Sequence, residues 1–179
     1  ANDIVKGLKG ILADIENGTL HIDMEAEDIH TFIEGELTKR IGDNGKRLHT
    51  SRSRNDQVAV DIKLYLKKEV VNVKNLVVGL IKVIADKAEK YSETVMPGYT
   101  HLQRAQPITF GHHLLAYGEM LLRDVSRLED CLKRMDEMPL GSCALAGTTY
   151  PIDRTITAEL LGFDRITNNS LDGVSDRDY

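Results

Sequence analysis

The sequence predicts an all-α fold, and three observations support this prediction. Apolar residues recur at three- and four-residue spacing in several segments, which is the period of an amphipathic helix. Residues 55–91 contain no proline and a single glycine, Gly79, so a long uninterrupted helix is expected there. No segment shows the strict alternation of apolar and polar residues that is typical of a half-buried strand.

Two short amphipathic helices are predicted in the first fifty residues. The first has its apolar residues on one stripe and a glycine as its stop: Ile4, Val5, Leu8, Ile11, Leu12, Ile15 and Gly18. The second has the same pattern: Ile29, Ile33, Leu37, Ile41 and Gly42. The segment 43–45, Asp-Asn-Gly, has the composition of a turn. Residues 1–50 are therefore predicted as part of a helical N-terminal domain.

Two long helices are predicted in the rest of the chain. The first, residues 55–91, carries a heptad seam: Ile62, Leu66, Val70, Val73, Val77, Leu80 and Ile84. A second apolar strip beside this seam indicates a multi-helix bundle. The other long helix begins after Thr109, which can cap it, and ends before Pro139; a loop with Pro97 and Pro107 precedes it. A short helix follows at 153–161, with Asp153 at its start and Gly162 as its stop. Residues 51–179 are predicted as the first part of a central long-helix bundle domain.

Composition excludes several classes of protein. The chain has 179 residues, 41% apolar and 28% charged, which is typical of soluble globular proteins rather than disordered or fibrous ones. Acidic residues outnumber basic ones 28 to 23, and about 18 uncharged apolar residues never run together, so neither a nucleic-acid nor a membrane partner is expected. The two cysteines, Cys131 and Cys143, form no metal-binding motif. A reducing, cytoplasmic compartment fits best.

Three polar or glycine-rich segments are not explained by helix packing. They are residues 49–57, 98–107 and 139–148, and each lies at or beside a predicted helix end. A helix N-terminus has unsatisfied N–H groups and partial positive charge, so the arginines and the Asn of the first segment suit a carboxylate or phosphate. The alternative, equally consistent with the sequence, is that Ser53 or Asn55 caps the helix and the arginines are solvated.

The histidines are weaker indicators of a functional site than these three segments. His101 lies in a Thr-His-x-Gln context beside prolines, where a rigid loop could hold an imidazole for proton transfer. Taken alone, a loop histidine is more often a surface or hydrogen-bonded residue. His112 and His113 are adjacent and point about 100° apart on a helix, so they are not expected to chelate one metal. Both are interpreted as structural, as is His30.

Geometry links two of the segments. If the long helices pack antiparallel, segments 49–57 and 98–107 lie at opposite ends of a rod roughly 55 Å long. The two segments then cannot meet within one chain. A site that used both would be shared between subunits, which predicts an oligomer with composite sites.

The three segments resemble those of the argininosuccinate lyase family, a branch of the fumarase/aspartase superfamily of helical lyases. Residues 49–58 are similar to the first family signature, and residues 98–107 to the second. Residues 139–154 and 174–179 resemble further family stretches, so the resemblance covers nearly the whole chain. The chain departs from the family at Ser51, where glycine is frequent, and at Cys143, where a small residue is usual.

The resemblance implies a carbon–nitrogen lyase of arginine biosynthesis that splits argininosuccinate into arginine and fumarate by β-elimination. It implies no metal and no organic cofactor, and a homotetramer whose sites draw on three subunits. By this resemblance, Asn55 and Thr100 bind substrate, and Arg54 helps to hold the succinyl carboxylates. His101 takes part in proton transfer, either directly or by orienting a water or a partner group. Weaker candidates for substrate binding are Arg52, Ser53 and Gln103.

The resemblance also predicts that the chain is a fragment. The third family signature, a Gly-Ser-Ser loop that supplies a serine base, does not occur in the sequence, and family contacts N-terminal to Ala1 are missing. Little or no activity is therefore expected from the chain alone. Two alternatives remain open. One is another fumarate-releasing lyase of the superfamily, and the other is a non-catalytic, crystallin-like structural protein.

Overall fold

The computed structural model describes residues 1–179 and confirms the all-α fold class, with a few short strands beside the helices. The chain forms two compact units, Ala1–Ser53 and Arg54–Tyr179. None of the helices combines the length and the apolar composition that crossing a lipid bilayer requires.

The first unit contains the two predicted helices, α1 (Asn2–Glu16) and α2 (Ile29–Ile41). The side chain of Asp28 caps α2 by accepting a hydrogen bond from the backbone N–H of Thr31, and Gly42 ends the helix at a φ of 67°. The predicted turn at 43–45 is wrong, because the structure has a 3₁₀ helix at Gly42–His49. Gly45 packs directly against the backbone of Thr38, a tertiary contact that the local composition does not reveal.

The second unit is built on two antiparallel helices, α3 (Arg54–Lys90) and α4 (Phe110–Met135). Thr109 caps α4 as predicted, since its hydroxyl accepts a hydrogen bond from the N–H of His112 at 3.1 Å. At one end Gly111 fits against the carbonyl of Ala88, where a Cβ would lie 2.4 Å from the oxygen. Only glycine allows the two helices to approach this closely.

A β-hairpin joins these helices, formed by β1 (Val95–Thr100) and β2 (Gln103–Thr109). The prediction that this stretch is a loop was wrong. Its two prolines lie opposite each other in the ladder, Pro97 beside Pro107, where neither has an N–H to donate. Most of the hairpin is exposed on both faces, so its sequence lacks the alternation that indicates a half-buried strand.

A small core lies near the N-terminus of α3. The elements that follow α4 are β3 (Glu137–Met138), α5 (Arg154–Leu161), β4 (Arg165–Ile166) and α6 (Ser170–Ser175), with β3 and β4 paired in parallel. Val60, Met138 and Phe163 are buried together in this core. The buried ammonium of Lys63 contacts the carboxylate of Asp176 at 3.2 Å. This ion pair holds the end of α6 against α3. The α5 helix and its Gly162 stop were predicted, whereas α6 and the short ladder were not.

The long helices leave much of their apolar surface uncovered. Exposed large side chains on α3 and α4 are Tyr65, Val71, Val73, Leu76, Leu80, Val83, Leu115, Tyr117, Met120 and Leu122. Val73 and Leu80 belong to the heptad seam predicted for the first long helix. An extended apolar surface on a protein marks an interaction face.

The close approach at Gly111 generates a prediction. Gly111→Ala forces α3 and α4 apart, and we expect it to lower the free energy of unfolding by about 1–3 kcal/mol. The matched control is Gly79→Ala on the exposed face of α3, where a Cβ meets no atom within 4 Å; it is expected to stabilise by about 0.5–1 kcal/mol. Urea unfolding monitored by circular dichroism measures both. Equal stabilities for the two variants would contradict the close packing.

Candidate active site

The first turn of α3 positions two of the candidate residues. Arg54 is the first helical residue, and its Nη1 donates a hydrogen bond to Oε1 of Gln57 at 2.6 Å. Asn55 is the second, and its Nδ2 donates to the carbonyl of Ala144 at 2.9 Å. Asn55 therefore lies inside the helix rather than at its cap, and Ser53 occupies the position immediately before the helix.

Two further candidates, Arg52 and Ser53, belong to the first unit. In that unit the carboxylate of Glu34 contacts Nδ1 of His49 at 2.8 Å and lies 3.9 Å from Nη2 of Arg52. A carboxylate on α2 thus holds two basic side chains of the first signature segment. All three side chains are partly shielded from solvent, which strengthens these contacts relative to fully exposed pairs.

The segment 139–148 is fastened to the start of α3. The carboxylate of Asp56 is fully buried, and its Oδ2 accepts hydrogen bonds from the N–H groups of Gly141 at 3.0 Å and Cys143 at 2.8 Å. The structure therefore brings segment 139–148 into contact with Asp56, a residue of segment 49–57. Asp56 was not among the residues singled out from the sequence. The available signal was an acidic residue in the first turn of the predicted helix, close to Arg52 and Arg54.

Arg154 holds the same segment from the other side. Its guanidinium donates to the carbonyl of Leu140 at 2.8 Å and to both the carbonyl and the hydroxyl of Thr167, at 3.1 and 2.8 Å. Burial lowers the pKa of Arg154, and the negative charge of Asp56 opposes that shift. Burial also raises the pKa of the Cys143 thiol, with the charge of Asp56 as the second cause. The thiol is therefore a poor nucleophile at neutral pH.

A pocket opens at the start of α3. It has a volume of about 230 Å³ and is lined by Arg54, Asn55, Val58, Val174 and Arg177. Two guanidinium groups and one amide around an apolar wall suit a small carboxylate-bearing molecule. Sequence analysis noted the stretch 174–179 without singling out Arg177.

The remaining candidates lie on the hairpin. Thr100 and Gln103 face each other as the last pair of the ladder, and His101 and Leu102 form the two-residue turn between them. Both turn residues have positive φ values, 49° and 61°, as a type I′ turn requires. Thr100, His101 and Gln103 are all exposed, and Leu102 is 94% exposed. The imidazole is thus carried at the tip of a hairpin with few contacts from its own chain.

Backbone strain at non-glycine residues is concentrated in the three segments 49–57, 98–107 and 139–148. The non-glycine residues with positive φ are Ser51, His101, Leu102 and Cys143. Left-handed backbone at a residue with a side chain is unfavourable and clusters at functional sites.

One chain does not assemble all the candidates into one site. Arg54 and Asn55 lie at the start of α3, whereas Thr100, His101 and Gln103 lie beyond its other end. Since α3 has 37 residues, its length of about 55 Å separates the two groups. No group of three or more His, Cys, Asp or Glu side chains is placed to hold a metal ion.

Comparison with known proteins identifies relatives of the whole chain. Residues 1–179 match the family described as Lyase. The argininosuccinate lyase of Desulforamulus reducens is 60% identical over 179 residues, and that of Heliobacterium mobile is also 60% identical over 179 residues. The match covers 100% of this chain and 39% of each of those two relatives. The chain therefore spans about two fifths of the length of the curated relatives it matches.

Solved structures show the same architecture. The structure of EDDS lyase in complex with formate has a TM-score of 0.84 and 33% identity, over 96% of this chain and 33% of that one. A fumarate lyase:delta crystallin from Brucella melitensis bound to cobalt has a TM-score of 0.70 at 22% identity, over 83% of this chain and 36% of that one. At that identity the second likeness supports the fold alone.

The strained hairpin tip generates a prediction. Leu102→Gly removes the cost of left-handed backbone without losing packing, because the side chain is almost fully exposed. Amide hydrogen exchange in β1 and β2 gives the free energy of opening the hairpin. We expect this free energy to be about 1 kcal/mol higher in Leu102→Gly than in the matched variant Leu102→Ala. Indistinguishable protection in the two variants would show that the turn is not left-handed in solution.

Proposed function

The chain belongs to the Lyase family, and from this membership we propose that it forms part of an argininosuccinate lyase. This enzyme would split argininosuccinate into arginine and fumarate. The observation that carries the proposal is the pocket at the start of α3, where Arg54, Asn55 and Arg177 surround a space suited to a carboxylate. The relatives named argininosuccinate lyase, 60% identical over the whole chain, support the same substrate. Arginine biosynthesis and a cytoplasmic location are part of this proposal, since both follow from the enzyme for which the relatives are named.

The chemistry of a β-elimination suits these side chains. A base removes a proton from the carbon next to a carboxylate, and that electron pair forms the C=C bond of fumarate as the C–N bond breaks. The nitrogen leaves with the arginine product and ends protonated. Negative charge builds up on the carboxylate beside the carbon that loses the proton, so fixed cations and N–H donors there stabilise the transition state. No oxidant or reductant enters this balance.

Each candidate residue has a role in this scheme. Asn55 and Thr100 bind substrate, Arg54 holds the succinyl carboxylates, and His101 transfers a proton or orients the group that does. Arg52, Ser53 and Gln103 are further candidates for substrate contact. The exposed position of His101 on the hairpin supports a role towards a ligand or a second chain rather than within its own fold.

We also propose that the site is shared between subunits of a homotetramer. The separation of about 55 Å between the two groups of candidates supports this arrangement, because neither group can reach the other in one chain. The uncovered apolar faces of α3 and α4 supply a surface for such assembly. In this view residues 1–50 form part of an N-terminal domain and residues 51–179 begin a central bundle domain that other segments complete.

A chimera tests the activity. Residues 1–179 replace the matching segment of one of the relatives that are 60% identical, and argininosuccinate is added while the ultraviolet absorbance of fumarate is followed. We expect fumarate release, and His101→Gln should lower the rate by about 10²–10⁴ without changing thermal unfolding, because a proton-transfer group is removed. The 179-residue chain alone should release little or no fumarate.

Two controls separate the alternatives. A rate on adenylosuccinate that exceeds the rate on argininosuccinate would favour another fumarate-releasing lyase. A folded chimera with no activity, beside an active unmodified relative, would contradict the proposal and favour a structural protein.

Mixing two inactive chimeras tests the shared site. One carries His101→Gln and the other carries Asn55→Ala, and the two are unfolded and refolded together. If a site takes the start of α3 from one subunit and the hairpin from another, random assembly leaves both segments intact at about a quarter of the sites. Activity should therefore reappear on mixing. Activity no higher than that of the separate variants would place both residues in one subunit's site.

A further inference from the structure

The buried carboxylate of Asp56 has no role in the proposed reaction. Asp56 is 0% exposed, although it is the third residue of α3 and follows two candidate site residues. Burying an ionised carboxylate is strongly unfavourable unless hydrogen bonds replace its contacts with water. Here the N–H groups of Gly141 and Cys143 provide that replacement, at 3.0 and 2.8 Å from Oδ2.

The backbone around Asp56 has the form of an anion receptor. Gly141 and Cys143 have positive φ values of 90° and 53°, which turn their N–H groups towards the same carboxylate oxygen. Concavities of this kind, called nests, bind anions in many proteins. A hydrogen bond from the N–H of Gly147 to the carbonyl of Ser142 at 2.8 Å closes the loop behind the nest. The anion that this nest holds belongs to the chain itself.

The nest is connected directly to a candidate substrate-binding residue. Asn55, the neighbour of Asp56, donates a hydrogen bond from Nδ2 to the carbonyl of Ala144, the residue that follows Cys143. Arg154 holds the carbonyl of Leu140, on the other side of the nest. The loop that orients the amide of Asn55 is therefore held in place by Asp56 from one side and by Arg154 from the other.

We propose that Asp56 is a positioning residue that locks the loop 139–148 onto the start of α3 and thereby orients Asn55 for substrate. The first part, the lock, stands on the geometry of this chain alone. The second part rests on the proposed function. A carboxylate in the nest sets where Ala144 lies, and the carbonyl of Ala144 sets the direction of the Asn55 amide.

The experiment removes the carboxylate and then supplies a free one. In the 179-residue chain, Asp56→Ala empties the nest, and formate is the probe because it has the size of the group removed. Amide hydrogen exchange is measured by NMR at Gly141 and Cys143, with Thr167 as an internal reference because its N–H bonds to the carbonyl of Met138 instead. The matched control is Asp86→Ala, which removes an exposed carboxylate from the same helix.

We expect the two nest amides to exchange at least about tenfold faster in Asp56→Ala, relative to Thr167, because charge-assisted hydrogen bonds are lost. The side-chain NH₂ signals of Asn55 should shift in the same variant. Formate should restore both towards the original values, while chloride should not, and Asp86→Ala should change neither. If Asp56 only filled space, formate would restore neither the exchange rates of the nest amides nor the Asn55 signals. If the exchange rates of Gly141 and Cys143 are unchanged in Asp56→Ala, or if formate does not restore them, the proposal that Asp56 locks the loop is overturned.

A conservative variant covers the case in which Asp56→Ala does not fold. Asp56→Asn keeps an acceptor oxygen and loses the charge, so it should fold and show an intermediate increase in exchange at Gly141 and Cys143. Exchange identical to that of the unmodified chain would contradict the role of the charge.

The orienting role is tested in the chimera described above. Asp56→Asn should lower kcat/KM for argininosuccinate by about 100-fold, mainly through a higher KM, because a displaced binding residue weakens substrate contact. If the amides of Gly141 and Cys143 exchange faster in Asp56→Asn while KM stays unchanged, the orienting role is overturned. An unmodified chimera without activity would instead count against the proposed function. The exchange measurements at Gly141 and Cys143 would still test whether Asp56 holds the loop 139–148 on α3.

Discussion

The antiparallel contact between α3 and α4 is the constraint on which the rest of the second unit depends. It is close because Gly111 leaves room for the carbonyl of Ala88, and ion pairs such as Lys74 with Glu129 continue it along the helices. Two stiff helices in this arrangement fix the distance between their ends. The first-turn residues of α3 and the hairpin with His101 are consequently far apart, and a reaction that needs both requires more than one chain.

Charged side chains hold the region around the start of α3 as much as apolar packing does. The apolar cluster there is small, and Asp56, Lys63 and Arg154 reach backbone groups within or beside it. Such side chains are stable only when their hydrogen bonds are made, so they specify one arrangement of the loops more strictly than apolar residues would. This specificity is useful where a pocket must keep its shape around a ligand.

Strain and exposure distinguish the parts of the chain that suit chemistry from those that build the scaffold. The four non-glycine residues with left-handed backbone all lie in segments 49–57, 98–107 and 139–148, and none lies in a helix. At the hairpin tip the strain falls on His101 and Leu102, which a tight two-residue turn forces into that conformation. At the other end, Cys143 donates its backbone N–H to the carboxylate of Asp56, in the first turn of α3. Local strain and a candidate site coincide at both ends of the second unit.

The sequence by itself determined the fold class, the two long helices and most helix ends. Apolar periodicity, the Thr109 cap and the stops Gly42 and Gly162 are local signals, and the structure confirms the helices that they predict. The sequence also singled out the three polar or glycine-rich segments, 49–57, 98–107 and 139–148, although the roles of their residues stay predictions. Only the tertiary structure decided the hairpin, the 3₁₀ helix at Gly42–His49 and the nest around Asp56. Each of these depends on backbone groups distant in sequence or on contacts with a neighbouring element, and no period in the sequence encodes such contacts.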